Sequence, residues 1–119
     1  MADIVYLVQD MMFTSKIREA AKTLGLVCQS VRDVAALPTA AAAAKLVIVD
    51  LRLPTAMSAL QALAADPTSA SVPSVGFVEH ERLEVMEAAR ASGCSEVMAK
   101  GQFANSLGRL FSSLVPSAS

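Results

Sequence analysis

The chain has 119 residues, a length typical of one domain. Its residues are 54% hydrophobic and 18% charged, which excludes a disordered chain because apolar burial on this scale outweighs the entropy cost of folding. Ten basic and eleven acidic residues give a net charge of −1. The sequence therefore offers no basic field to attract nucleic acid or an anionic membrane.

Neither export nor membrane insertion is indicated by the sequence. Lys45, Asp50 and Arg52 interrupt the longest apolar stretches well short of the roughly 20 residues that a membrane-spanning helix needs. Asp3 stands where a signal peptide would have basic residues. Two cysteines without an export signal are typical of reduced thiols. We expect a cytoplasmic protein that binds neither membrane nor nucleic acid.

Short β-branched runs alternate with amphipathic helical stretches along the chain. In chain order we predict a strand at 4–8, a helix ending at Leu24, a strand at 26–28, a helix at 38–44, a strand at 46–49, a helix at 55–65, a strand at 75–78, a helix at 82–92, a strand at 95–98 and a helix over 103–114. Thr14 or Ser15 is expected to cap the first helix, and Gly25 and Gly93 to end the first and fourth. Residues 115–119 are predicted to be a tail or the start of a linker after a single domain spanning 1–119.

Five strand–helix units predict an α/β fold, in which helices cover both faces of a parallel sheet. In such sheets ligands bind beyond the carboxyl ends of the strands. Asp10, Asp50 and Lys100 all follow predicted strands. If strands one and three are neighbours, the two carboxylates converge there and could bind a hard divalent cation such as Mg²⁺, with Lys100 beside them. The alternative is that these residues are ordinary turn and cap residues.

The chain resembles the receiver domain of two-component response regulators over nearly its whole length. The resemblance is carried by Gln9-Asp10 after strand one, residues 47–54 around Asp50, Val72-Pro73 before strand four, and Gly93 with Lys100 near strand five. It implies a flavodoxin-like, three-layer α/β/α sandwich whose five-stranded parallel sheet has the order 2-1-3-4-5.

The resemblance also implies roles for individual residues. Asp50 matches the phosphoacceptor. Asp10, Asp50 and the main-chain carbonyl of Arg52 match the ligands of Mg²⁺, and Lys100 matches the lysine that binds the phosphoryl group. A carboxylate would attack phosphorus while the cation and the lysine neutralise the phosphoryl oxygens. The implied activity is limited to self-phosphorylation from a phosphodonor and slow autodephosphorylation.

Five positions depart from the family pattern. Gln9 replaces the first acidic residue, so any Mg²⁺ should bind weakly; Val78 replaces the switch hydroxyl. Glu79 stands where a small residue is usual, Val97 where an aromatic residue is usual, and Gly101 where a proline is usual. The changes weaken the metal site and remove the residues that transmit the switch, which indicates a degenerate receiver.

Glu79, Arg52 and Lys100 lead to a further hypothesis about the mouth of the site. We expect these side chains to satisfy one another in part, which would favour the unphosphorylated arrangement. The alternative is that all three point into solvent as isolated surface charges.

Three hypotheses about function remain. In the first, a histidine kinase or a small phosphodonor phosphorylates Asp50, and a partner reads the surface of helix four, strand five and helix five, a face that could also form a homodimer. In the second, a pseudo-receiver binds its partner without phosphorylation. A small flavodoxin-like enzyme or ligand-binding domain is the third, but the sequence lacks a glycine-rich phosphate loop and is only 4% aromatic.

Four other positions carry weaker signals. His80, the only histidine, lies beside two glutamates and is not expected to bind a metal. Cys28 and Cys94 are expected on opposite edges of the sheet, too far apart for a disulfide. Residues 11–13, Met-Met-Phe, either form an exposed contact patch or pack beneath the loop after strand one.

Overall fold

The computed structural model describes residues 2–115. The strands are β1 (Ile4–Leu7), β2 (Cys28–Ser30), β3 (Leu46–Asp50), β4 (Ser74–Val78) and β5 (Glu96–Ala99). The helices are α1 (Met11–Thr23), α2 (Leu37–Ala41), α3 (Ala56–Ala65), α4 (Leu83–Ala91) and α5 (Lys100–Ser112), with a 3₁₀ turn at Val34–Ala36. The tail predicted at 115–119 lies outside the described residues except for Val115.

The five strands form one parallel sheet of order β2-β1-β3-β4-β5. The predicted fold class and strand order are therefore confirmed. In β1 and β3, Ile4 pairs with Leu46 and Leu7 with Val49, so the two strands end side by side. The chain leaves β1 toward β2 on one side and enters β4 from β3 on the other. The strand order thus reverses between β1 and β3, which is where ligands bind in open α/β sheets.

Alternation along the central strands divides the core into two layers. Ile4 and Tyr6 of β1 pack with α1 and α5, whereas Val5 and Leu7 pack with α2, α3 and α4. Both sets are buried, and so the strands have continuous apolar runs instead of alternating apolar and polar residues. The three layers follow directly from this two-sided burial.

Aromatic packing is concentrated between the sheet and the α1–α5 layer. Phe77 of β4 lies between Phe13 of α1 and Phe103 of α5, with ring centroids 4.8 Å and 4.5 Å away. Phe13 and Phe103 are themselves 5.8 Å apart. The small aromatic content of the chain is thus gathered largely at one place, directly beneath the carboxyl ends of the central strands.

The start of α1 corrects the predicted helix cap. The helix begins at Met11, and Asp10 is its N-cap, with the side chain accepting hydrogen bonds from the backbone N–H groups of Met12 and Phe13. Thr14 and Ser15 lie inside the first turns, so the prediction that one of them caps the helix was wrong. An aspartate satisfies the free N–H groups of a helix start at least as well as a hydroxyl does.

The region between β1 and β3 also differs from its prediction. The second strand begins at Cys28, where the predicted strand ended. Val27 instead donates its backbone N–H to Asp3 Oδ2, and its carbonyl accepts a hydrogen bond from the backbone N–H of Asp3. Asp33 caps the 3₁₀ turn within the stretch that was predicted to be a loop. The second helix ends at Ala41, three residues early, since its alanines supply helix propensity but few side chains that pack.

Two glycines end helices as predicted. Gly25 follows α1 with φ of +70° and Gly93 follows α4 with φ of +100°. These are left-handed conformations that strain residues with a Cβ atom.

Cys28 and Cys94 are free thiols near opposite edges of the sheet, which agrees with the expectation of no disulfide between them. Within residues 2–115, every helix is too short or too polar to span a bilayer.

Candidate functional site

Asp50 is the last residue of β3 and lies at the reversal of strand order. It is only 2% exposed, one of three polar residues that are buried among those described. The backbone N–H of Arg52 donates a hydrogen bond of 3.0 Å to Asp50 Oδ1. The tight turn after β3 thus fixes the orientation of the carboxylate at the end of the strand.

Asp10 follows β1 and brings a second carboxylate to the same edge. Its Oδ1 accepts hydrogen bonds from the backbone N–H groups of Met12 and Phe13, at 2.9 Å and 3.3 Å. Desolvation acts to raise the pKa of Asp10, but the hydrogen bonds from Phe13, Lys100 and Met12 outweigh it, so the pKa lies below its ordinary value. Asp10 is therefore both a helix cap and an ionised group of the site, a double role that the sequence analysis missed.

Two cations meet the outer oxygen of Asp10. Lys100 Nζ lies 3.3 Å from Asp10 Oδ2, and a terminal guanidinium nitrogen of Arg52 lies 4.0 Å from the same atom. Lys100 is the first residue of α5, and its ammonium group also lies 5.3 Å from the ring centroid of Phe13. The aromatic ring and the carboxylate together hold the lysine over the site.

Glu79 closes the site from β4. Arg52 Nε lies 3.4 Å from Glu79 Oε1, so the guanidinium group bridges Glu79 and Asp10. The other oxygen, Glu79 Oε2, is buried and has no hydrogen-bond partner in the described part of the chain. Glu79 is thus drawn inward by one ion pair and left half satisfied, an arrangement that carries a desolvation cost.

The hypothesis that Glu79, Arg52 and Lys100 satisfy one another is correct for Arg52 and Glu79 but not for Lys100. Arg52 does pair with Glu79, as expected. Lys100 pairs with Asp10 instead of Glu79, since α5 begins beside the N-terminus of α1. The alternative of three isolated surface charges does not describe the structure.

The remaining atypical positions surround these charges. Val78 is fully buried in the layer formed by α2, α3 and α4. Gln9 is exposed, Val97 is partly buried against the same layer as Val78, and Gly101 lies in the first turn of α5. A Cβ atom at Gly101 would meet no atom within 4 Å, so the lack of a proline there reflects no steric demand.

The donor set fits a hard divalent cation in part. Asp10, Asp50 and the main-chain carbonyl of Arg52 would supply oxygen ligands, and waters would complete the shell. Across residues 2–115, no three acidic, cysteine or histidine side chains come together as a metal-binding group. The side chains of Lys100 and Arg52 already neutralise Asp10, and Gln9 adds no charge. These residues would hold Mg²⁺ weakly.

Two weaker sequence signals, His80 and the Met-Met-Phe segment, differ in their exposure. His80 is exposed and its Nδ1 lies 3.1 Å from Glu81 Oε2. In the Met-Met-Phe segment, Met11 is 80% exposed, as expected for a contact patch, whereas Phe13 is buried in the aromatic cluster, as expected for packing beneath the loop. A groove of about 510 Å³, which was not predicted, lies beside Met11 at the carboxyl ends of β1 and β2.

Comparison with protein-family models finds no match, and comparison with curated protein sequences finds none either. Solved structures match over almost the whole chain. The receiver domain of a sensor histidine kinase from Pseudomonas aeruginosa, crystallised with magnesium in its active-site cleft, is 19% identical, with a TM-score of 0.77 and 98% of each chain covered.

Two response regulators give the same result. A receiver domain from Rhodospirillum rubrum is 20% identical with a TM-score of 0.74, covering 95% of this chain and 94% of its own. The phosphorylated cyanobacterial phytochrome response regulator RcpA is 20% identical with a TM-score of 0.77, covering 100% of this chain and 98% of its own. Together with the confirmed strand order, these matches establish that the chain has the fold of response regulator receiver domains.

Proposed function

We propose that this protein is a receiver-type signalling module of a two-component system, with Asp50 as its phosphoacceptor. The observation that carries the proposal is the placement of Asp50 at the end of β3, with Asp10 and Lys100 meeting at the same sheet edge. The likeness to solved receiver domains supports the signalling role. Its output would pass through protein contacts, and its chemistry would be limited to self-phosphorylation and slow autodephosphorylation.

The residues of the site have separate tasks in this proposal. The hydrogen bond from the Arg52 backbone holds one oxygen of Asp50, leaving the carboxylate oriented for attack on a phosphorus atom. Lys100 would move from Asp10 to a phosphoryl oxygen, where a lysine acts as a compact positive charge. A bound Mg²⁺ would neutralise charge on the transferred group. Asp10, Asp50 and the Arg52 carbonyl are the proposed ligands.

A phosphorylation-independent interaction module is the second candidate. Val78 is buried and has no hydroxyl to follow a phosphoryl group, and Arg52 already bridges Asp10 and Glu79 in the unmodified chain. Both features favour a domain that keeps one arrangement. Such a pseudo-receiver would bind its partner through the same surface without modification.

Partners and location follow from the same proposal. A histidine kinase or another signalling protein is the expected partner, and the face of α4, β5 and α5 is the expected contact, for a partner or for a second copy. The net charge of −1 supports a protein that binds neither nucleic acid nor membrane, and we propose a cytoplasmic location.

Intact-mass spectrometry separates the two candidates. The wild-type protein and an Asp50→Asn variant are incubated with saturating Mg²⁺ and a small acyl phosphate or phosphoramidate. A phosphate adduct on the wild type that is absent from the variant is the result expected for a phosphoacceptor. An unmodified wild-type chain at high donor concentration contradicts that role and supports the phosphorylation-independent module.

A further inference from the structure

The bridging position of Arg52 places a cation of the protein itself at the proposed metal site. Its guanidinium group lies 4.0 Å from Asp10 Oδ2 and 3.4 Å from Glu79 Oε1. Asp10 is also a proposed ligand of the divalent cation. A divalent cation bound at that oxygen would be repelled by the positive charge of the Arg52 guanidinium group.

Charge balance points the same way. Asp10 and Glu79 pair with Arg52 and Lys100, and the carboxylate of Asp50 has no ion-pair partner among the described residues, so the site retains one negative charge. If the Arg52 side chain swings out, the same carboxylates face only Lys100, and the site has two negative charges, which match a divalent cation. The position of one side chain therefore decides whether the site attracts such a cation.

The geometry also allows the movement. The Arg52 side chain is 50% exposed, so it can reach solvent without disturbing the core. Its backbone N–H would remain bonded to Asp50, because only the side chain has to move. Glu79 Oε2, which is buried without a partner, would regain hydration once the guanidinium group no longer draws the carboxylate inward.

We propose that Arg52 and Glu79 form a clasp that competes with divalent cations for Asp10. The clasp rests on the proposed function because it regulates the same site, and it makes metal binding and the Arg52–Glu79 ion pair mutually exclusive. Cation binding opens the clasp and frees Glu79 at the end of β4. The loop between β4 and α4 therefore responds to the state of the site even though Val78 has no hydroxyl.

Titration of Mg²⁺ into the protein, measured by calorimetry without any phosphodonor, tests the clasp. Arg52→Ala removes the competitor but keeps the backbone carbonyl, and we expect the Mg²⁺ association constant to rise about tenfold, which corresponds to ~1.4 kcal/mol. Arg52→Lys retains the charge but replaces the planar guanidinium group, which can contact two carboxylates, with a compact ammonium group. We therefore expect the Mg²⁺ association constant to rise roughly threefold. Circular dichroism verifies that each variant is folded.

The matched control is Arg82→Ala. Arg82 forms an ion pair of 3.1 Å with Glu84 on the surface and is about as exposed as Arg52, so its removal should leave the Mg²⁺ affinity unchanged. Equal affinity of the wild type and Arg52→Ala overturns the clasp, and so does an absence of binding in both. An equal rise in Arg52→Ala and Arg82→Ala also overturns it, because a general loss of positive charge then explains the effect.

A double variant identifies the oxygen for which the cation competes. Adding Asp10→Asn to Arg52→Ala should abolish the gain in affinity, and a gain that persists overturns the proposal. The titration contains no phosphodonor, so its result is separate from the mass measurement on Asp50. A failed phosphorylation with a working clasp contradicts the phosphoacceptor role alone, whereas successful phosphorylation with unchanged Mg²⁺ affinities contradicts the clasp alone.

Discussion

At the scale of single residues, Asp10 connects secondary structure to the candidate site. The same carboxylate caps α1 through Oδ1 and receives Lys100 and Arg52 through Oδ2. A residue used in this way cannot change without affecting both the helix and the charge balance. Its identity is therefore constrained by folding as well as by chemistry.

Asp10→Asn should reduce the acid sensitivity of the protein. The pKa of Asp10 is depressed in the folded state, so its contribution to stability is present above the ordinary value of 3.8 and is lost as pH falls through the lower folded pKa. Asparagine keeps the cap but loses the charge, which should cost about 0.5–1 kcal/mol at neutral pH. The measurement is urea unfolding of both proteins from pH 7 to pH 2.

Their stabilities should converge below pH 3.8, because the wild-type carboxyl group becomes neutral as well. Asp33→Asn is the control for loss of an exposed cap carboxylate that forms no ion pair among the described residues. A constant difference between Asp10→Asn and the wild type across the whole pH range would contradict the assignment.

At the scale of secondary structure elements, the contact between β3 and β4 sets the shape of the site. Val49 pairs with Gly76 and Asp50 with Phe77 in the parallel ladder. The buried Leu51 side chain follows directly after β3 and crosses over Gly76. The close approach of that side chain, and not a turn, explains a glycine in the middle of a buried strand.

Gly76→Ala should therefore destabilise the protein. An added Cβ atom would lie 2.8 Å from Leu51 Cδ2 and 2.9 Å from Leu51 Cγ, closer than packed carbons tolerate. The expected loss is about 1–3 kcal/mol in the free energy of unfolding, because the surrounding core is already filled. Equilibrium urea denaturation followed by far-UV circular dichroism measures it.

Gly108→Ala provides the matched control. A Cβ atom at Gly108 in α5 would meet nothing within 4 Å, and alanine is the better helix former by roughly 0.8–1 kcal/mol. The control should be neutral or stabilising. The steric explanation fails if both variants lose the same stability.

At the scale of the whole molecule, the aromatic cluster couples the site to the α1–α5 layer. Phe13, Phe77 and Phe103 come from α1, β4 and α5, and Phe13 lies beneath the ammonium group of Lys100. The cluster therefore joins distant parts of the chain directly under the charges of the site. Its integrity should matter for global stability.

Phe103→Ala should be among the most damaging single changes. Phe103 is fully buried, and truncating such a side chain costs about 3–5 kcal/mol because a cavity remains. Phe103→Leu retains most of the volume and should cost less than about 1.5 kcal/mol. Thermal and urea unfolding measure both, and equal losses in the two variants would argue against a cavity as the cause.

Much of the architecture could be predicted because its signals are local. Buried runs such as residues 46–49 predict strands by themselves, and the glycines at 25 and 93 mark helix ends since a positive φ favours glycine. The regular alternation of strands and helices restricts the topology, because crossover connections are right-handed. The placement of Asp10, Asp50 and Lys100 at one edge follows from that topology.

The helix cap and the ion pairs of the site could not be predicted from the order of residues along the chain. Asp10 as the cap of α1, Lys100 paired with Asp10, and Arg52 bridging to Glu79 all join residues whose relative orientation is set by packing. The sequence by itself determined the parallel sheet and the polar residues at the ends of its strands, because burial patterns are encoded locally, and the resemblance to receiver domains added the strand order. Only the tertiary structure decided which charges pair, because the packing of α1 against α5 brings Lys100 to Asp10 and leaves Arg52 between Asp10 and Glu79.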